Sequence, residues 1–485
     1  MIAVLIVVLA LVAGPLGLVY AGWLPPAAGL VSVGAATALV FWKLRDRIHG
    51  ILLVFVGVLL VSTMVASPRP KIVADDLGAD DDAALAARFR AAGPFRTDLP
   101  VTVHLIFDEM QSTGAIDTAT PAGEAARAQL LAVADRHGLR TFDSVYSRYF
   151  FSGVSMPNMM NAEFEGRTDT ANHSTEILPA IRDNAYFDRL AERGYRTAVF
   201  QTSHLDFCAH PGIALCETFD SFDPGAGAAT LDLRTRTVTL WSTLLRAWEP
   251  SYVSVYGLRA VRRYYGLEDR PIGVLGTEGR FDVQRFPAWF DRFVRFVTGV
   301  PRGTHVFAHF MVPHSPYLLT RECVVSGTFD AGYYLGRNVP DPSAREAARR
   351  RFTDAYLAQL QCVASKIDEL LDAMASVPAL ADARLIIQGD HGSRISMGNV
   401  LEGYEPRDFI ANYGAYFAVK APGAAPGVDC EFLSLPEAFR RYADPAGPLP
   451  PLDRPHPPVV VTSNEAGGRK VEAVMPVFGC AGGDR

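Results

Sequence analysis

The stretch Leu385-Ile386-Ile387-Gln388-Gly389-Asp390-His391-Gly392-Ser393-Arg394 decides how the rest of this chain is read. Residues 384–387 have the apolar, β-branched character of a short buried strand. A carboxylate, an imidazole and a glycine follow at once. In open α/β sheets ligands sit beyond the carboxyl ends of strands, so Asp390 and His391 fall where chemistry is usually placed. The pair offers one oxygen and one nitrogen ligand, a combination that suits zinc and tolerates manganese. Gly392 lets the backbone pass close to whatever is bound. Taken alone, Asp-His-Gly reads equally well as a turn with an aspartate cap and a hydrogen-bonded histidine, so partners elsewhere must decide.

Working outward, strand-like and helix-like segments alternate. Residues 101–107, 141–146, 195–201, 304–312 and 415–420 read as strands. Residues 83–92, 122–137, 185–193 and 343–374 read as helices, and Gly138 and Gly194 stand at helix ends. Residues 229–300 are mostly helical in pattern, rich in aromatics and arginines. The alternation predicts an α/β fold, a mainly parallel sheet covered by helices on both faces. The tail from Ala424 is rich in proline and glycine and gives no clear pattern.

The chain has 485 residues and a net charge of −6, which gives no reason to expect a nucleic-acid partner. Its mean hydropathy of +0.12 is high for a soluble enzyme, and the excess is local. Residues 1–42 and 50–68 contain no charged side chain. They predict three N-terminal transmembrane helices, at 1–21, 26–42 and 49–67, each near the ~17–25 residues needed to span a bilayer. Trp23 and Trp42 lie near segment ends, where interfacial aromatics belong. Lys43, Arg45 and Arg47 make the basic loop between spans, which the positive-inside rule places in the cytoplasm. Everything after Ser67 is then outside. Residues 68–98, with the acidic cluster Asp75, Asp76, Asp80, Asp81 and Asp82, read as a solvated linker. All six cysteines follow the membrane segments, and an even count outside permits three disulfides. Cys208 and Cys216 are close enough to staple one loop; pairing Cys323 with Cys362 and Cys430 with Cys480 follows chain order only.

Three more pieces carry chemistry. Asp108 and Glu109 follow the first strand of the soluble part and are hard oxygen ligands, or else a helix cap. Ser152 and Ser155 lie in Ser152-Gly153-Val154-Ser155-Met156-Pro157, a helix start where free N–H groups and the helix dipole favour an alkoxide and the anion it attacks. His314 lies between Pro313 and Pro316 after the 304–312 strand and is held by them. His305 and His309, within that strand, are assigned to the core.

In this order the pieces resemble the alkaline phosphatase superfamily, closest to its sulfatase-like branch of membrane-anchored phosphoethanolamine and phosphoglycerol transferases. The resemblance covers residues 100–394. It implies that Glu109 matches the first metal ligand, Asp390 and His391 two more, and Ser152 the nucleophile, usually threonine there. It places His314 beside the substrate, and Asp108 becomes a further candidate ligand. Two departures stand out. Met159 occupies the position of the sulfatase arginine, which argues against ordinary sulfate-ester hydrolysis. Residues 393–408 lack the histidine that usually follows Asp-His-Gly, so Arg394 is assigned the oxyanion contacts; the only later histidine is His456. The expectation is one divalent metal, zinc first, with manganese or calcium as alternatives. Residues 99–424 would be the catalytic domain and 425–485 its extension, on the periplasmic side of the inner membrane. The expected activity is transfer of a phospho-group to an envelope lipid or glycan. Hydrolysis of phosphate or sulfate esters, and a metal-poor pseudoenzyme that binds envelope glycan, remain as alternatives.

Overall fold

The computed structural model describes residues 79–161, 181, 184–202, 205–219, 274–315, 317–325, 342–395, 405–444, 458–464 and 469–480. These residues belong to one compact unit, Val73–Thr239 with Asp269–Arg485. The three expected membrane spans, most of the 229–300 segment and His456 lie outside the described residues. Among the described residues no helix is long and apolar enough to cross a membrane.

In chain order the elements are α1 (Ala79–Ala91), β1 (Thr102–Phe107), α2 (Pro121–Arg136), β2 (Arg140–Phe142), β3 (Val145–Tyr146), α3 (Ser152–Met160), α4 (Ala185–Glu192), β4 (Arg196–Thr202), β5 (Ile213–Phe219), α5 (Val274–Thr298) and β6 (Thr304–Phe310). They continue with α6 (Pro342–Ala375), β7 (Arg384–Gly389), α7 (Pro406–Tyr413), β8 (Phe417–Lys420), β9 (Gly427–Asp429), β10 (Leu433–Ser434), α8 (Leu435–Tyr442), β11 (Val459–Asn464) and β12 (Arg469–Val474). Local chemistry explains several boundaries. The Thr120 hydroxyl accepts from the Gly123 N–H, with Pro121 at the first helical position of α2. Ser434 and Glu437 form a reciprocal capping box at α8.

The main sheet runs β5-β4-β6-β1-β7-β8-β2-β9. Only β8 runs against the rest: it is antiparallel to both β7 and β2, whereas the other pairings are parallel. The sheet is therefore mainly parallel. Its central strands β1 and β6 are buried along their whole length, as a sheet covered on both faces requires. Val103, Leu105, Phe107, Val306, Ala308 and Phe310 face a layer made by α1, α2, α5 and α6. Ile106, Phe307, Ile386 and Phe417 face α3, α4 and α8. A third, smaller core joins Tyr146, Phe150, Tyr413, Val460, Met475 and Phe478.

Four details differ from the sequence reading. The solvated linker expected over 68–98 contains α1, whose Leu85 and Phe89 are buried in the main core, Phe89 edge-on against Phe296. The strand expected at 141–146 is two short pieces in different sheets, because Asp143 turns inward to receive Thr113 and Arg127. The strand expected to begin at Ala415 starts at Phe417, since Ala415 and Tyr416 bond instead to Val145 and Met110. The proline-rich tail forms the hairpin β11–β12 and is tied back by a disulfide. The three disulfides are Cys208–Cys216, Cys323–Cys362 and Cys430–Cys480.

His104 and His305, on neighbouring strands, are fully buried and their ring nitrogens have no hydrogen-bond partner. They pack edge-on against Tyr186, and His104 also against Phe307. Burial pushes His305 down to about 3; burial and the neighbouring His305 hold His104 well below its ordinary value. In the unfolded chain both return to about 6.5. Their neutral forms therefore favour the fold fully above pH 6.5, and this contribution is lost as pH falls from there towards 3. Each histidine makes the slope about 1.4 kcal/mol per pH unit. Denaturant unfolding at pH 7.5 and pH 5.0 should show the difference, and His305→Phe should reduce it. An unchanged slope in that variant would sink the assignment.

Candidate metal and nucleophile site

The site forms beyond the carboxyl ends of β1, β6 and β7, the three adjacent strands at the centre of the sheet. In the register Phe107 lies beside Gly389, and Ile106 beside His309. Asp108 and Asp390 therefore leave neighbouring strands at the same level, and both are fully buried. Helix α3 begins at Ser152 and brings its hydroxyl to them.

Ser152 Oγ donates to Asp108 Oδ2 at 3.0 Å and lies 3.5 Å from His391 Nε2. His391 Nε2 lies 3.3 Å from Asp390 Oδ2 and 3.7 Å from Asp108 Oδ1. His391 Nδ1 is 2.9 Å from the Gly392 carbonyl, which can only accept, so the proton sits on Nδ1 and the Nε2 lone pair faces the carboxylates. Asp108 Oδ1 and Asp390 Oδ2 are buried with no hydrogen-bond partner. Two orphaned carboxylate oxygens and one imidazole lone pair facing one point are a donor set for a divalent metal. Ligands of one tetrahedral zinc lie roughly 3.3 Å apart, close to the separations here. One ligand atom from each of Asp108, Asp390 and His391 lies within 4.8 Å of the others.

The electrostatics agree. Burial pushes Asp390 well above the usual carboxylate range, and the charge of Asp108 adds to the shift. Burial also works against Asp108, but His314, His391 and Arg394 together hold it below that range. Burial, with Arg394 beside it, pushes His391 down to about 3. A cation between the carboxylates would remove the repulsion that keeps one of them protonated.

Glu109 belongs to an adjoining group, in which one ligand atom from each of Asp108, Glu109 and His314 also lies within 4.8 Å of the others and could hold a metal ion. Its Oε1 accepts from Arg394 Nε at 2.6 Å and lies 3.6 Å from His314 Nε2, and its Oε2 accepts from the Tyr317 hydroxyl at 3.4 Å. Arg394 also donates to His314 Nε2 at 2.5 Å, while His314 Nδ1 donates to the Ser315 carbonyl. Glu109 and Arg394 both have left-handed backbones, φ 65 and 53, which cost non-glycine residues about 1–3 kcal/mol each. The Glu109 turn is pinned at both ends: its N–H donates to Asp390 Oδ1 and its carbonyl accepts from the Tyr356 hydroxyl.

Residues 411–416 tie the three limbs of the site together. The carbonyls of Ala411 and Asn412 accept from the N–H groups of Ser393 and Gly392. Tyr413 accepts from Ser147, Gly414 from Ser112, and the N–H groups of Ala415 and Tyr416 donate to Val145 and Met110. This explains Gly392, whose Cβ would overlap the Ala411 carbonyl oxygen. The close approach that requires glycine is to the protein's own backbone, not to a ligand.

The structure thus brings Ser152, Asp108, Asp390 and His391 into one cluster, and Glu109, His314 and Arg394 into the group beside it. Ser155 points elsewhere, donating to the Asp390 carbonyl at 2.6 Å. His309, assigned to the core, has its Nε2 3.9 Å from Asp108 Oδ2. The signal available was parity: His309 is the penultimate residue of β6, on the face shared by Ile106 and Asp108.

No family model matches the chain, and no curated protein is significantly similar to it. Solved structures with similarity include the C-terminal periplasmic domain of EcEptC from Escherichia coli, at 12% identity and TM-score 0.42 over 79% of this chain and 93% of that one. The phosphonate monoester hydrolase of Agrobacterium radiobacter has 13% identity and TM-score 0.43, over 76% and 82%. A 2-O GAG sulfatase has 12% identity and TM-score 0.44, over 75% and 77%.

Asp390→Asn and Asp108→Asn should each weaken divalent-metal binding by more than the ~10–100-fold typical of outer-shell changes, whereas Glu109→Gln should leave stoichiometry intact. Metal analysis and calorimetric titration of the purified protein measure both; metal loss in Glu109→Gln would reverse the division between the two groups.

Proposed function

We propose that this chain is a metal-dependent enzyme of the sulfatase-like, alkaline phosphatase type that transfers a phospho-group, of the phosphoethanolamine or phosphoglycerol kind, to an envelope lipid or glycan. The observation that carries this reading is the position of Ser152 Oγ, 3.0 Å from Asp108 and 3.5 Å from His391 Nε2, among carboxylate oxygens that lack other partners. A nucleophile is useful only where something lowers the cost of its alkoxide. Asp108, Asp390 and His391 would hold the metal, zinc by preference because two carboxylates and one imidazole leave a fourth position open, with manganese or calcium as alternatives. Such an ion lowers the pKa of a nearby hydroxyl and polarises a phosphoryl oxygen.

The chain's own residues account for the remaining steps. Asp108 Oδ2 accepts the Ser152 hydrogen bond and aims Oγ. Oγ bonds to phosphorus, the bond from phosphorus to the leaving oxygen breaks, and the serine proton ends on that oxygen. An anionic group beside Arg394 competes with His314 Nε2 for the guanidinium and so frees the imidazole. His314 then draws the proton from the acceptor hydroxyl as that oxygen attacks the phosphoserine, and returns it to Ser152 as the serine oxygen departs.

In this reading residues 1–67 anchor the chain as three inner-membrane spans. Residues 68–78 are the tether, α1 joins the folded part through the buried Leu85 and Phe89, and the chain from there through 424, with the 425–485 extension, works on the periplasmic side. The three disulfides support an oxidising compartment. Mass spectrometry of envelope lipids and glycans, with and without the protein, separates transfer from hydrolysis.

Ser152→Ala should lower turnover of a phosphodiester probe by roughly 10³-fold or more while keeping its bound metal. Acid-quenched wild-type enzyme should carry phosphate on the peptide containing Ser152. Residual wild-type turnover in the alanine variant would end the serine assignment.

A further inference from the structure

Helix α6 carries one polar stripe through an apolar surface. Tyr356, Gln359 and Cys362 recur every three residues, so they share a face, and all are fully buried. Tyr356 holds the Glu109 turn: its hydroxyl donates to the Glu109 carbonyl at 2.8 Å and accepts from the Gln111 N–H at 3.0 Å. Cys362 is bonded to Cys323. Between them, Gln359 uses its whole amide on the loop that leaves β6. Its Oε1 accepts from the N–H groups of Leu318 at 2.9 Å and Leu319 at 3.1 Å. Its Nε2 donates to the carbonyls of Pro313 at 3.1 Å and His314 at 3.0 Å. A primary amide offers two donors and two principal acceptor sites. The side chain is saturated, and this orientation of the amide alone satisfies all four partners.

We propose that Gln359 is a positioning residue for His314, fixing where the imidazole stands without touching the substrate. The inference rests on the reading of His314 as the group that takes the acceptor's proton. Isolated burial of an amide is unfavourable unless its bonds are made, and a loop carbonyl cut off from water needs a donor. Here one side chain meets both needs across the loop that carries His314 and Tyr317. The residue type is specific. Glutamate has the same shape but would set a carboxylate oxygen against the Pro313 and His314 carbonyls. Methionine would fill the space and leave four backbone groups unmet. Either change lets the loop shift, and misplacement by about 1 Å costs on the order of 100-fold in a positioned reaction.

The test uses the full chain, metal-loaded, with bis(p-nitrophenyl) phosphate as probe. Gln359→Glu should retain the first burst of nitrophenol and a KM within about threefold, while steady-state kcat falls about 10–100-fold and phosphoserine accumulates on Ser152. His314→Ala should show the same pattern, and the double variant should be no slower than His314→Ala alone. Wild-type turnover in Gln359→Glu, an equal loss of burst and steady state, or additive effects in the double variant would each overturn the proposal. A second arm needs no turnover: diethyl pyrocarbonate should modify His314 several-fold faster in Gln359→Glu and Gln359→Met than in wild type. Unchanged reactivity in both overturns the positioning role. If the wild type turns over no phosphodiester, the proposed function fails instead, and the modification rates still decide the part played by Gln359.

Discussion

Two carboxylates confined together away from water are the constraint around which this structure is built. Asp108 and Asp390 sit at the ends of adjacent parallel strands, fully buried, each with one oxygen that no hydrogen bond reaches. Such a pair cannot ionise fully without compensation, because each charge lacks solvation and repels the other. The chain supplies part of it. The N–H groups of Glu109 and His391 donate to Asp390 Oδ1, and the Ser152 hydroxyl donates to Asp108 Oδ2. The remainder is what a divalent cation could provide at this cluster.

Holding that arrangement takes more of the fold than the sheet. The central strands deliver two limbs, but Ser152 arrives on a separate helix. Residues 411–416 make up the difference by bonding to the segments on either side of both strand ends and to the segment leading to Ser152. The C-terminal hairpin reinforces the same limb: the Val461 N–H donates to the Arg148 carbonyl, and the Tyr413 hydroxyl to the Val461 carbonyl. On the opposite face of the sheet, α6 grips the Glu109 turn through Tyr356 and the His314 loop through Gln359. Glu109 and Arg394, the two residues here with left-handed backbones, are joined in one buried ion pair. Backbone strain at both ends of a buried pair is poor value for stability alone, and it keeps a guanidinium beside an imidazole.

Much of the framework was legible in the chain. Hydrophobic runs ending in Asp108-Glu109, His314 and Asp390-His391 marked the three central strand ends, because a buried strand followed by a polar turn leaves a local signature. The division of labour between Asp108 and Glu109 was not legible. Adjacent residues at a strand end point to different sides, and which of them meets Asp390 depends on the left-handed turn at Glu109 and the arrival of Arg394 from 285 residues away. His309 looked like core because its strand is uniformly buried; only the register beside Ile106 places it near Asp108.

The sequence by itself determined the α/β alternation, the order of the chemical motifs and the even set of cysteines, all properties of short windows or of simple counting. Tertiary structure alone decided that Ser152 rather than Ser155 faces the carboxylates, that Gly392 makes room for Ala411, and that Gln359 encloses the His314 loop. Each of these depends on a contact between segments distant in the chain. Local propensity carries no information about such partners, which are chosen only when the sheet assembles and every buried polar group must find one.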